Sequence, residues 1–196
     1  MGANAYLVED DYDSEYHYTK RPLPALQGLD DHGRVIYVGT FSKVLYPALR
    51  LGYLILPTQL VDAFRTVRNL IDTHPPILEQ AVLTDFIVGG HFARHLRRMR
   101  HLYAERRAAL LEATQKLPLE IIAPEAGLHC VGWLPAGMND RALVQAAASH
   151  GVDLVPVANF SMEPLERKGI LLSFSEYTVE QIQDGVRRLG AAMRAV

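Results

Sequence analysis

Val35-Ile36-Tyr37-Val38-Gly39-Thr40-Phe41-Ser42-Lys43 is a β-branched and aromatic run that turns small and polar and ends on a lysine. Its opening residues read as a buried strand, and Gly39 reads as the point where the strand breaks. In open α/β sheets, ligands collect outside the carboxyl ends of the strands. A lysine held there, partly desolvated and near other cations, sheds its proton cheaply and attacks a carbonyl. Arg50 follows closely enough along the chain to share a phosphate site with Thr40 and Ser42. A lysine, two hydroxyls and an arginine together point to an aldehyde cofactor that carries a phosphate, pyridoxal 5′-phosphate.

Ala5-Tyr6-Leu7-Val8 reads as another buried strand, running into Glu9-Asp10-Asp11-Tyr12-Asp13-Ser14-Glu15. A carboxylate at the end of a neighbouring strand keeps a pyridoxal ring nitrogen protonated, so that the ring accepts electrons from a carbanion. A phenol two residues later can hydrogen-bond the ring's 3′ oxygen. Each cluster alone has a plainer reading, a solvated surface lysine or an acidic helix cap. The two in this order favour the cofactor.

Four stretches closely resemble the MocR/GabR family: Glu9 to Tyr16, Pro22-Leu23-Pro24-Ala25-Leu26, Gly39 to Lys43, and Pro47-Ala48-Leu49-Arg50-Leu51-Gly52-Tyr53. The resemblance runs over essentially the whole chain. Members of that family are bacterial transcription regulators with an N-terminal winged helix-turn-helix of the GntR type. Their large C-terminal domain is built like a fold-type I aminotransferase. The resemblance therefore implies an α/β fold of that type. Residues 1–110 would be the later part of the large, lysine-bearing domain with its linking helix, and 111–196 the small α/β domain. It implies that Lys43 forms the internal aldimine with pyridoxal 5′-phosphate, Asp10 pairs with the pyridine nitrogen and Tyr12 bonds the 3′ oxygen. Thr40, Ser42 and Arg50 would hold the phosphate. It also implies a homodimer that senses a small amine or amino acid and reaches DNA only through the winged helix, while the single cysteine, Cys130, fits a reducing, cytoplasmic setting. That winged helix and the first half of the large domain are absent from this sequence, so the chain reads as a C-terminal fragment with part of the cofactor's cradle.

With 196 residues, 49% hydrophobic and 21% charged, the chain has material for one domain or two small ones. A formal net charge of −2 gives no overall footprint for nucleic acid. Cys130 is the single cysteine, so neither a disulfide framework nor a cysteine-rich metal site is available. The sequence shows no signal peptide and no apolar run long enough to span a membrane. Walker, H-E-x-x-H and C-x-x-C patterns are likewise missing.

Along the chain, Tyr16 to Asp31 is loop-like, with Pro22, Pro24 and Gly28 as breakers. Arg50 to Leu56 reads as a third strand. Thr58 is positioned to cap a helix to about Asn69 whose core face uses Leu60, Val61, Phe64 and Val67. A second helix runs from Ile77 to Val88 behind Thr73-His74-Pro75-Pro76; by the resemblance Thr73 and His74 are candidates for contacts to a partner's cofactor site, against a plain proline-rich helix start. His91 to Lys116 is helical, with Phe92, Leu96, Met99, Tyr103 and Leu110 on one face. Its arginines, Arg94, Arg97, Arg98, Arg100, Arg106 and Arg107, read as a solvated or docking face rather than a DNA contact. Strands follow at 119–122, 128–134, 152–157 and 170–174, with a helix at 140–149. Thr178 with Gln181 three residues on opens a capping box for a last helix with Ile182, Val186, Leu189 and Met193 inward. His129, in a run resembling these regulators, is either a ligand neighbour or a packed strand histidine.

Aminotransferases of this fold grip the substrate's carboxylate with an arginine, whose planar fork makes two bonds. By the resemblance it lies in the penultimate strand, where this chain reads Ile170-Leu171-Leu172-Ser173-Phe174, with leucine at the arginine's place. In GabR-like regulators it follows the strand matching 152–157, and Ala158-Asn159-Phe160-Ser161-Met162 has none. Arg167 is the nearest remaining candidate. The clamp is missing or relocated, which counts against amino-acid transamination. Two alternatives to a sensing domain stay open: a class I/II aminotransferase acting on an amino acid, and a cofactor-free dimerisation fragment.

Overall fold

The computed structural model describes residues 5–18 and 22–196; positions 1–4, and 19–21 of the proline-bearing loop, lie outside the described residues. The chain divides into two compact units, Met1–Arg98 and Met99–Val196.

In the first unit, β1 (Leu7–Asp11), β2 (Val35–Thr40) and β3 (Gly52–Ile55) form one sheet in that order. β1 and β2 are parallel with Asp10 beside Val38, and β3 returns antiparallel with Tyr53 beside Gly39. β1 starts later than the sequence suggested and holds Glu9, Asp10 and Asp11 within the strand. Gly39 does not break β2, which continues through Thr40. The glycine is required by packing: a Cβ there would overlap the Tyr53 ring. The expected burial of β1 is not met, since Leu7 is 58% and Val8 67% exposed; every residue of β3 is exposed as well.

Thr58 makes no capping bond. A 3-10 turn at Thr58–Leu60 intervenes, and α1 (Val61–Ile71) starts after it. Its expected core residues Phe64 and Val67 face solvent. α2 (Ile77–Val88) has the predicted bounds and buries Leu83 in a cluster with Leu49 and Leu51, against which Phe41 and Leu45 pack. α3 (His91–Thr114) ends two residues before Lys116 and passes from one unit into the next.

The second unit carries an antiparallel sheet in the order β4 (Glu120–Ile121), β5 (His129–Trp133), β7 (Gly169–Ser173), β6 (Val155–Pro156). Side chains alternate across a strand, and burial follows: Cys130, Ile170 and Leu172 are buried, while His129, Val131, Leu171 and Ser173 are half-buried. α4 (Asp140–Ser149) is capped by Asn139, whose side chain accepts from the Arg141 and Ala142 backbone, both at 3.0 Å. α5 (Val179–Met193) has the predicted Thr178–Gln181 capping box and buries Ile182, Val186, Leu189 and Met193. Two arginines of the α3 stripe are fasteners rather than surface charge. Arg106 donates to the Ser175 carbonyl, and Arg107 Nε donates to the Pro124 carbonyl at 2.9 Å. Among the described residues no helix is long and apolar enough to cross a membrane.

Candidate cofactor site

Parallel β1 and β2 finish at the same end of their sheet, and antiparallel β3 begins there. Asp10 and Tyr12 lie at the end of β1; Thr40, Ser42 and Lys43 lie at the end of β2; Arg50 lies just before β3. All six expected residues thus come to one end of one sheet, and none is buried.

Alternation along β1 sends its two aspartates to opposite faces. Asp10 shares a face with Val38 and Thr40; Asp11 shares the other with Tyr37 and Gly39. Asp11 is a structural hub that the sequence reading passed over. Its carboxylate accepts from Ser14 N at 3.1 Å, from Ser14 Oγ at 2.5 Å and from the Tyr37 hydroxyl at 2.7 Å. Partial burial pushes its pKa up, but the bonds from Ser14 and Tyr37, with the charge of His17, outweigh that and hold it below the usual carboxylate range. Burial and the bond to Asp11 drive the Tyr37 phenol upward. Tyr12, 50% exposed, sits in the bend this turn creates. The Asp13 charge, then burial, then the Asp10 charge raise its pKa, so its phenol stays a donor.

The lysine-bearing segment is anchored from behind. Ser42 N donates to Thr40 Oγ1 at 3.1 Å, and Leu45 N to the Phe41 carbonyl at 2.9 Å. Val44 is 1% exposed. Its carbonyl accepts from the Tyr16 hydroxyl at 3.4 Å and from His95 Nε2 at 2.8 Å, which requires the imidazole proton on Nε2. Lys43 itself is exposed, so the desolvation expected of it is not supplied by the described residues. Arg50 has φ 50°, the one positive value outside glycine among the described residues. Left-handed backbone costs such a residue about 1–2 kcal/mol, and strain of this kind clusters at functional sites. Buried Leu49 and Leu51 fix the segment on either side and leave the guanidinium exposed.

The donor set suits a phosphorylated pyridine aldehyde: a carboxylate, a protonated phenol, an amine, two hydroxyls and a guanidinium. Asp11, Tyr37, Tyr16 and His95 were missed as supports. An aspartate three residues before a serine is a turn signal, so Ser14 was legible. The partners of Tyr37 and His95 lie 26 and 51 residues away and were not.

In the second unit, His129 faces Ser173 across β5 and β7, and Leu171 lies between Val131 and Val155. Arg167 is engaged elsewhere: Nη2 is 2.6 Å from Glu120 Oε2, and the guanidinium lies 5.1 Å over the Trp133 ring. Thr73 and His74 are exposed ahead of α2.

A family model for aminotransferase class I and II matches residues 3–189. The chain is 40% identical over 196 residues to a probable rhizopine catabolism regulatory protein MocR of Rhizobium meliloti, a match covering 98% of this chain and 40% of that one. It is 38% identical to the uncharacterized HTH-type transcriptional regulator YhdI of Bacillus subtilis, over 96% of this chain and 41% of the relative. Among solved structures it is similar to LysN, an α-aminoadipate aminotransferase of Thermus thermophilus complexed with N-(5′-phosphopyridoxyl)-L-leucine. There the TM-score is 0.88 and the identity 30%, over 97% of this chain and 50% of that one. The chain spans less than half the length of the two regulators. It has the α/β architecture of the fold-type I aminotransferases, and it belongs to the aminotransferase class I and II family.

Proposed function

We propose that this chain is the pyridoxal-phosphate-binding, effector-sensing and dimerisation domain of a bacterial transcription regulator of the MocR type. The observation that carries the reading is the meeting of Asp10, Tyr12, Thr40, Ser42, Lys43 and Arg50 at one sheet end. The higher identity to the two regulators than to LysN supports a regulator over an enzyme. When bound, the cofactor supplies an aldehyde that combines reversibly with primary amines. Lys43 is the amine that holds it. Asp10 keeps a proton on the ring nitrogen, and the Tyr12 phenol donates to the ring oxygen. Arg50, with its fork of donors, shares the phosphate with the Thr40 and Ser42 hydroxyls. Sensing then requires that an amine ligand prefer one arrangement of the protein over another. DNA contact is assigned to a winged helix outside this sequence.

Similarity to LysN favours a second reading, an amino-acid transaminase. Leucine at position 171 and the engagement of Arg167 with Glu120 weigh against it. The test is borohydride reduction of the chain incubated with pyridoxal phosphate, followed by peptide mapping. The label is expected on Lys43, and Lys43→Ala should lose both the label and the visible absorbance. The same band in Lys43→Ala would remove the lysine from the proposal. A basic winged helix encoded upstream in the same reading frame would support the regulator over the enzyme.

A further inference from the structure

We infer that His95 and Tyr16 are positioning residues for Lys43, acting through the backbone carbonyl of Val44. This rests on the cofactor-binding function proposed above and concerns what holds its amine in place. All the residues involved lie in the first unit. The Lys43 side chain is exposed, long and flexible, so where its amine sits depends on the backbone that carries it. The peptide group joining Val44 to Leu45 is fastened at both ends. Its N–H donates to the Phe41 carbonyl at 2.9 Å. Its carbonyl accepts from His95 Nε2 at 2.8 Å and from the Tyr16 hydroxyl at 3.4 Å, one donor for each lone pair. Val44 is 1% and Tyr16 0% exposed, so the bonds are made out of reach of bulk water. On the other side of the lysine, Ser42 N donates to Thr40 Oγ1 at 3.1 Å. Lys43 is held between two fixed points.

The two donors come from different parts of that unit. Tyr16 belongs to the segment after β1, where its N–H donates to the Asp13 carbonyl at 3.1 Å, close behind Asp10 and Tyr12. His95 comes from α3, one turn beyond Phe92, whose ring meets that of Phe41 at 5.9 Å. The Val44 carbonyl is therefore the point that joins the carboxylate-bearing strand end, the lysine turn and α3. Asp10 and Lys43 must grip opposite parts of one small molecule, so their separation has to be held. A misplacement of about 1 Å between reacting groups costs on the order of a hundredfold in rate. Removing either donor leaves a buried carbonyl short of a partner and frees the peptide beside the lysine.

The test compares the unmodified chain with His95→Phe, His95→Gln and Tyr16→Phe. Glutamine sets an amide N–H near the place of Nε2, whereas phenylalanine keeps a ring and loses the donor. Without cofactor, hydrogen exchange at the Leu45 amide reports the brace directly. It should quicken about tenfold in His95→Phe, the scale of one hydrogen bond, and stay close to the unmodified rate in His95→Gln. With limiting pyridoxal phosphate, borohydride trapping and peptide mapping give the label on Lys43 relative to that on Lys116 and Lys168, two exposed lysines that serve as references. That ratio should fall about tenfold in His95→Phe, fall less in Tyr16→Phe, whose bond is longer, and recover in His95→Gln. Should His95→Phe fail to fold, Tyr16→Phe decides, since it keeps the buried ring and removes only the hydroxyl. An unchanged Lys43 ratio in the deciding variant overturns the positioning role, even where Leu45 exchange quickens. A His95→Gln chain that behaves like His95→Phe overturns it too, because the donor would then not be what matters. An unmodified chain that labels Lys43 no more than Lys116 overturns the cofactor-binding function and this inference together.

Discussion

Phe174, Ile170 and Leu143 of the second unit have no exposed surface, and α5 turns Ile182, Val186, Leu189 and Met193 inward. In the first unit, α1 leaves Phe64, Val67, Leu70 and Ile71 in solvent, and the sheet exposes Leu7, Val8, Leu54 and Ile55 across its two faces. In sequence the two helices look alike, each with an apolar stripe at helical spacing. An apolar stripe states that a helix needs a partner; it does not supply one. The second unit contains the partner surface for its own helices. The first unit displays apolar surface of a kind that marks interaction sites. Its order is concentrated where the candidate site is, in the Leu49–Leu51–Leu83 cluster, the Asp11 turn and the carbonyl of Val44.

That contrast can be broken most directly at Phe174. Phe174→Ala removes a fully buried ring and should destabilise the second unit by about 3–5 kcal/mol in denaturant unfolding. A loss below about 1 kcal/mol would mean that its core is not closed, since surface changes fall in that range. Gly39→Ala probes the contact between β2 and β3 in the first unit. The added methyl must displace the Tyr53 ring, and a cost of about 1–3 kcal/mol is expected, as for other overpacked sites; a neutral result would show that the Tyr53 contact is loose.

Acid should act on the first unit through Asp11. Its folded pKa is depressed, so its contribution is present above the unfolded carboxylate value, 3.8, and is lost as pH falls through the lower folded value. Unfolding midpoints measured from pH 6 downward should therefore fall more steeply in the unmodified chain than in Asp11→Asn; parallel curves would remove Asp11 as the hub. The smallest effect is expected at Leu70, 80% exposed on α1. Leu70→Ser should change the stability of the isolated chain by no more than about 0.5 kcal/mol and reduce its self-association in sedimentation. A loss matching that of Phe174→Ala would show α1 to be covered.

Features set by residues within a turn or two of one another were legible before any coordinates. α2 and α4 have the bounds their periodicity and breakers suggested, and the Thr178–Gln181 capping box forms as read. The start of α1 was misjudged because Thr58, though a capping residue type, sits in a 3-10 turn where its side chain makes no capping bond. Gly39 was taken for a strand breaker because the ring that demands it belongs to another strand. Arg106 and Arg107 looked solvated because their carbonyl partners lie far along the chain.

The sequence by itself determined the family, the order of strands and helices, and the lysine, carboxylate, phenol, hydroxyl and guanidinium residue types of the candidate site. Only the tertiary structure decided which of two adjacent aspartates faces Thr40 and which faces Tyr37, what pins the backbone beside Lys43, and that Arg167 is already bound to Glu120, 47 residues away. The physical reason is range. Propensity, capping and periodicity act between neighbours in the chain, whereas the face a side chain takes and the partner that neutralises it depend on strand register and packing between distant segments.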